Sequence, residues 1–484
     1  MNVHYVVLML ASLFVALAAD PVPLRRDEAA IGWRSLFDGK SMRGWTAPGK
    51  NWGVRDGALA RTATGGDITY VMYRLPLDYE LRIQWKQAAA AEWNSERVLC
   101  HGKVVEHSRD GVRLTDPKKS RVDVGGCGEF LRLPDPGEDI SYGAVYLRAL
   151  PPPSSPSLFE EDVASSLQLR VKLWKQMEAY ADAMPPSGRA APAGAMLIER
   201  FRAENGYPPP GLKAGPKARL EKAGEDSIAT YYRSFVPVTS EMDAYGIYIV
   251  PKGRLLPAPL VIAQHGNNGS PEVALFHGAG NYKDMIRGAA ARGYVVYAPH
   301  LVTYSARDQQ EGSPIPEDVR AQLDQKFRAK GASLTGVEAI RITRALDALI
   351  DRPEVDRERV GMIGLSLGGS TTLAVTALDP RIRVAVVSCG FRYQPLEAGS
   401  PMPVSQLIPA IAPRPLQVQA GKRDPLVSIE SARPAGSIGS DVYSKSGAGE
   451  RFVFEEFYGG HEFNGDLAFP FLEKYLGRPA LQKK

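Results

Sequence analysis

Two textures of apolar and polar positions divide the chain. From about residue 31 to 150 the pattern is β-rich. Tyr79-Glu80-Leu81-Arg82-Ile83-Gln84-Trp85 alternates apolar and polar residues, as a half-buried strand does. Asp38-Gly39, Asp56-Gly57 and Asp110-Gly111 mark turns, and short strands between turns predict a small β-sandwich. Pro151-Pro152-Pro153 and Pro156 form a stiff linker. Leu167, Val171, Trp174 and Met177 then recur at spacings of 3 and 4, which predicts a helix over 157–184. Residues 185–215, rich in Pro, Gly and Ala, are expected to lie as a belt over the next domain.

From about residue 228 the texture changes again. Apolar strands are predicted at 260–263 and 294–298 with a helix at 282–292 between them, then a helix at 337–350. Strands follow at 360–364, 384–387, 415–420 and 452–457. Such alternation implies a mostly parallel sheet with helices on both faces, an α/β domain over 228–478.

A chain of 484 residues is too long for one ordinary core, in line with two domains and a connecting segment. With 44% hydrophobic and 23% charged residues it has the balance of a soluble globular protein. The net charge of +5 comes without any Lys/Arg-rich block, so no nucleic-acid partner is expected. The apolar run from Val6 to Ala19 is too short to span a bilayer comfortably, and Ala16-Leu17-Ala18 has the small-x-small pattern of a cleavage site. A signal peptide over 1–19 is expected, with a secreted or periplasmic product and no membrane span after cleavage. The front end carries no Lys or Arg, which leaves an uncleaved anchor as the alternative. Cys100 and Cys127 share the first domain, and either they pair or all three cysteines, Cys389 included, are unpaired thiols. No Cys/His cluster has zinc spacing, so neither a metal nor a cofactor is expected.

The chemistry concentrates at Gly364-Leu365-Ser366-Leu367-Gly368-Gly369, after an apolar strand and before a helix-like stretch. A serine on so sharp a turn needs neighbours without bulk two residues either way, and Gly364 and Gly368 supply them. A serine hydroxyl needs a base. Downstream of Ser366 the only histidine is His461, in the loop after the 452–457 strand. Asp424, four residues past the 415–420 strand, is the expected acid, with Glu397 the alternative. Glu462 and Asp466 are expected to be solvated or to act only behind His461. The amide of Leu367 supplies one oxyanion donor, and that of Asn267, in Gln264-His265-Gly266-Asn267-Asn268-Gly269, the second. His265 is read as packing beneath that loop rather than as a second base.

Residues 228–478 resemble the α/β-hydrolase superfamily, nearest its dienelactone-hydrolase-like and acetyl-xylan-esterase-like branch. The resemblance rests on Gln264-His265-Gly266, residues 364–369, 421–424 and Gly460-His461. It implies an α/β-hydrolase fold and acyl transfer through Ser366, Asp424 and His461. The first domain resembles 3-keto-disaccharide hydrolase domains, which have a concanavalin-like sandwich. Here the match runs through residues 33–40, Gly44-Trp45, residues 52–57 and 79–85, and then Glu92-Trp93-Asn94 and residues 102–106. Between Trp85 and Glu92 only a few, mostly alanine, residues stand where that family has a long sugar-facing segment. The module is therefore read as a reduced carbohydrate-binding or structural one.

The implied function is that of a secreted serine esterase, acting on a small-molecule or polysaccharide ester that is carbohydrate-linked or similar. A prolyl-oligopeptidase-like peptidase is the runner-up, and a non-catalytic sugar-binding surface protein the rival of another class. With a complete catalytic set after the linker, removal of 31–150 is expected to spare small esters and weaken action on polymers.

Overall fold

The computed structural model describes residues 33–76, 78–87, 90, 92–101, 104–125, 129–150, 162–187, 195–276, 281–304, 313–397 and 400–481. The expected signal peptide, the Pro151–Pro153 break and Cys127 lie outside the described residues. Cys100 is disulfide-bonded, and Cys389 is a free, buried thiol.

The first domain is built from an eight-stranded and a three-stranded antiparallel sheet. Leu81, Ile83 and Trp85 of the Tyr79–Gln87 strand point into a core shared with Trp45, Trp52, Leu59, Ile68 and Tyr142. Among the strands that the pattern did not single out is a long central one. Ile140–Ala149 lies between Ala58–Arg61 and Tyr79–Gln87, and a register shift at Tyr142/Ala144 interrupts its alternation. Asp56-Gly57 and Asp110-Gly111 are tight turns with all four residues at positive φ, the geometry that matches strand twist in two-residue hairpins.

The second domain has an α/β-hydrolase fold around one nine-stranded sheet. Its order is Arg219–Glu225, Ala229–Pro237, Asp243–Pro251, Val295–Pro299, Ala258–Gln264, Val355–Leu365, Ile382–Ser388, Leu416–Gly421, Phe452–Phe457. The last six of these run parallel and the first three pair antiparallel. The sheet therefore begins nine residues ahead of the expected boundary at 228. Arg-Leu-Glu-Lys-Ala-Gly-Glu is a largely exposed edge strand, so it lacks the apolar alternation by which buried strands are recognised. Within Ala258–Gln264 the side chains part by parity. Leu260 and Ile262 join the core on one face, Val261 and Ala263 that on the other.

The helix Asp162–Ala183 sets Trp174, Met177 and Tyr180 into the first of these cores, and Leu197–Glu204 adds Phe201. These two helices of the connecting segment are thus packed against the nine-stranded sheet. No helix among the described residues is long and apolar enough to cross a membrane.

Candidate active site

The Val355–Leu365 strand ends at Ser366, and the helix Leu367–Leu378 starts at the next residue. Ser366 has φ +60° and ψ −122°, a conformation costly for any residue with a Cβ. What permits the turn is the lack of bulk around it. A Cβ on Gly364 would overlap the Gly368 carbonyl, and one on Gly368 would overlap the carbonyls of Gln264 and His265. The hydroxyl of the nearby Ser370 is tied to the Gly390 carbonyl at 2.6 Å, so it does not compete with Ser366.

His461 and Asp424 meet at the ends of the two neighbouring strands. The imidazole Nδ1 donates to Asp424 Oδ2 at 2.8 Å, and both side chains are buried. Asp424 Oδ1 accepts the amides of Leu426 and Val427 at 2.8 and 2.9 Å, which fixes the carboxylate. On the other side of the ring, Nε2 is buried with no hydrogen-bond partner. Glu397 stands exposed in its loop.

Cys389 Sγ lies within 4.8 Å of ligand atoms of Asp424 and His461. Burial, and after it the Asp424 charge, push its thiol pKa well up, so it is a protonated thiol. A metal would need the thiolate and would break the Asp424–His461 bond, so this trio fits a metal poorly.

The oxyanion loop is braced from beneath. His265 Nδ1 donates to the Gly266 carbonyl at 2.8 Å, and Nε2 accepts the Leu301 amide at 3.0 Å. The Gly266 amide donates to the Tyr282 hydroxyl at 2.9 Å, which withdraws it from the oxyanion role. Asn267 and Asn268 face the same cavity as Ser366 and His461. The Leu367 amide is at the first position of its helix, where no intrahelical acceptor exists.

Burial, with Arg320, Arg170 and Arg341 around it, lowers the His265 pKa to about 4. The unfolded chain takes up this proton near pH 6.5, whereas the folded state resists it down to about 4. The resulting stability is complete above about pH 6.5 and falls progressively as pH drops toward 4, by about 3 kcal/mol for this group. His300, buried beside it and also lowered, acts in the same direction. Urea unfolding at pH 7, 5.5 and 4 measures the loss. A His265→Gln variant should show a shallower decline, and an unchanged slope would assign the effect elsewhere.

The cavity over Ser366 has a volume of about 370 Å³ and is shared between the domains. Trp33, Arg34, Ser35, Arg43, Met72 and Tyr73 form its N-terminal wall. The same domain also holds the histidine loop. The His461 amide donates to the Met72 carbonyl, and a Cβ on Gly460 would overlap the carbonyls of Val71 and Met72. Of the two places expected for Glu462, in solvent or behind His461, the structure excludes the first, because the side chain is fully buried. Its carboxylate takes the Arg74 Nε at 2.7 Å and the Arg74 amide at 2.9 Å, with Lys283 Nζ at 3.4 Å. Asp466, by contrast, is exposed at a helix start.

Because this domain walls the cavity and holds the histidine loop, removal of residues 31–150 is expected to impair hydrolysis of small esters as well. Removal would strip one wall of the cavity and take Arg74 away from the Glu462 carboxylate. A gentler test is Arg74→Ala. It should destabilise the fold by about 1–3 kcal/mol, because it leaves a buried carboxylate short of a partner. It should also lower kcat on a small ester about tenfold through the displaced His461 loop. Urea unfolding and steady-state rates check both, and wild-type kcat with lowered stability would confine Arg74 to a structural role.

Residues 257–438 match the dienelactone hydrolase family, and residues 32–91 match the 3-keto-alpha-glucoside-1,2-lyase-like domain. YtaP of Bacillus subtilis (strain 168), a protein named as a hydrolase, is 25% identical over 284 residues, covering 53% of this chain and 91% of that one. Among solved structures, a glucuronoyl esterase from Solibacter usitatus aligns with TM-score 0.41 and 15% identity, over 62% of this chain and 90% of that chain. Acetyl xylan esterase 1 from Thermoanaerobacterium sp. JW/SL YS485 aligns with TM-score 0.38 and 18% identity, over 64% and 98%.

Proposed function

We propose that this chain, a serine hydrolase of the esterase type whose residues 257–438 form a dienelactone hydrolase family domain, hydrolyses carbohydrate-linked carboxylic esters through an acyl-enzyme on Ser366. One observation carries the reading. Ser366, on its strained turn, and His461, held by the buried Asp424, line one cavity. In this mechanism the Ser366 Oγ attacks the ester carbonyl while the unpartnered His461 Nε2 takes its proton. Asp424 holds the tautomer with its proton on Nδ1 and stabilises the imidazolium. The amides of Leu367 and Asn267 receive the developing oxyanion. His461 then returns the proton to the leaving alcohol and activates water to release the acid. No step uses a cofactor.

The carbohydrate part of the reading rests on the 3-keto-alpha-glucoside-1,2-lyase-like module that walls the cavity. Export rests on the apolar run from Val6 to Ala19. A fluorophosphonate probe should label the protein once, on the peptide containing Ser366. Acetylated sugars should be turned over alongside 4-nitrophenyl esters of short acids. Labelling elsewhere, or cleavage of peptides in preference to esters, would overturn the reading.

A further inference from the structure

The N-terminal wall of the cavity carries charge that the hydrolysis mechanism does not use. Arg34 sits on the short strand Arg34–Ser35, pinned to Tyr146 and Leu147 of the sandwich. Its Nη2 is wholly buried and has no hydrogen-bond partner. Burial lowers its pKa, and among the described residues the groups that act on its charge are the phenols of Tyr73, Tyr282 and Tyr70, not a carboxylate. Arg43 lines the same wall from a more exposed position. The described lining contains two arginines and neither Asp nor Glu. Trp33, beside Arg34, has an indole Nε1 that likewise lacks an acceptor. Burying a guanidinium without a counter-charge is expensive unless a ligand completes it.

We infer that Arg34, assisted by Arg43, is a specificity residue that binds a carboxylate on the ester substrate, so that the preferred substrates are anionic esters. This rests on the esterase reading above and narrows it. A guanidinium presents paired donors in a planar fork that matches a carboxylate. Arg34 and Ser366 line one substrate-sized cavity, within the volume range of small-molecule sites. Bound there, the carboxylate fixes the substrate's orientation, and its contribution appears mainly in KM.

Two matched pairs of probes test this and locate the carboxylate. Mono-4-nitrophenyl glutarate carries it on the acyl side and is compared with 4-nitrophenyl butyrate. 4-Acetoxybenzoate carries it on the leaving alcohol and is compared with phenyl acetate. Wild-type kcat/KM should favour the anionic member of one pair by about 10- to 100-fold. High salt should weaken that preference, and Arg34→Gln should reduce it to about one, with Arg34→Lys only partly restoring it. Because Arg34 is partly buried and its replacement could misfold the wall, Arg43→Gln and competitive inhibition of the wild type by free glutarate give independent readings. Inhibition with a lowered preference in Arg43→Gln supports the assignment. No anionic preference in the wild type, or a ratio unchanged in a folded Arg34→Gln, overturns it. If neutral esters are still hydrolysed in a Ser366-dependent manner, only this inference fails. If no ester is hydrolysed, the esterase reading fails first.

Discussion

Ser366→Ala is expected to lower kcat by about six orders of magnitude while leaving the protein folded, the loss typical of removing the nucleophile of a serine triad. The side chain bonds to nothing that supports the turn, because the Ser366 backbone does that work. Its amide donates to the Ser388 carbonyl at 2.8 Å, and its carbonyl accepts the Ser370 amide at 3.0 Å. Alanine keeps both bonds and the same Cβ, so the positive φ is strained no further. The hydroxyls at the start of the following helix cannot take over. Ser370 is bonded to Gly390, and Thr371 and Thr372 to the carbonyls of Leu367 and Gly368. Hydrolysis of 4-nitrophenyl acetate and thermal unfolding, measured on the same preparation, check both halves. A folded variant that keeps even one percent of the rate would place the nucleophile elsewhere.

Ser366, Asp424 and His461 were legible because each depends on geometry written within a few residues. Gly364 and Gly368 bracket a turn, Gly421 opens the acid loop, and Gly459-Gly460 lead into the histidine. The parallel sheet was legible for a similar reason, since strands buried on both faces read as unbroken apolar runs. Contacts between the domains were not. For Glu462 the choice between solvent and a place behind His461 stayed open, because a carboxylate is buried only when paired and its partner Arg74 stands 388 residues away. Arg34 and Met72 reach the active site through the docking of one folded domain on another, and no periodicity encodes that. Tyr282 looked like an ordinary helix residue, although its hydroxyl receives the Gly266 amide inside the oxyanion loop. The edge strand Arg219–Glu225 escaped because solvent exposure removes the pattern that marks a strand.

Asp424→Asn should lower kcat by about four orders of magnitude without unfolding the protein, whereas Glu397→Gln should change it no more than several-fold. The structure supplies the reason through the two oxygens of Asp424. Oδ1 accepts the amides of Leu426 and Val427, so in the variant those donors hold the remaining carbonyl oxygen of the asparagine in that place. Its NH2 group must then face His461 Nδ1, where Oδ2 accepted a proton before. A donor at that point forces Nδ1 to accept and moves the ring proton to Nε2. Nε2, the proposed base, then carries a hydrogen and cannot take the serine proton. Because the shape and the backbone bonds persist, stability should change little. Glu397 is exposed and takes part in none of these bonds, so its charge acts on the site only across solvent. Parallel kcat measurements on both variants, with proton NMR for the Nδ1–H resonance expected in the wild type and absent from Asp424→Asn, decide the matter. A large loss in Glu397→Gln with a mild one in Asp424→Asn would move the acid to Glu397. Mild losses in both would mean that another group orients His461.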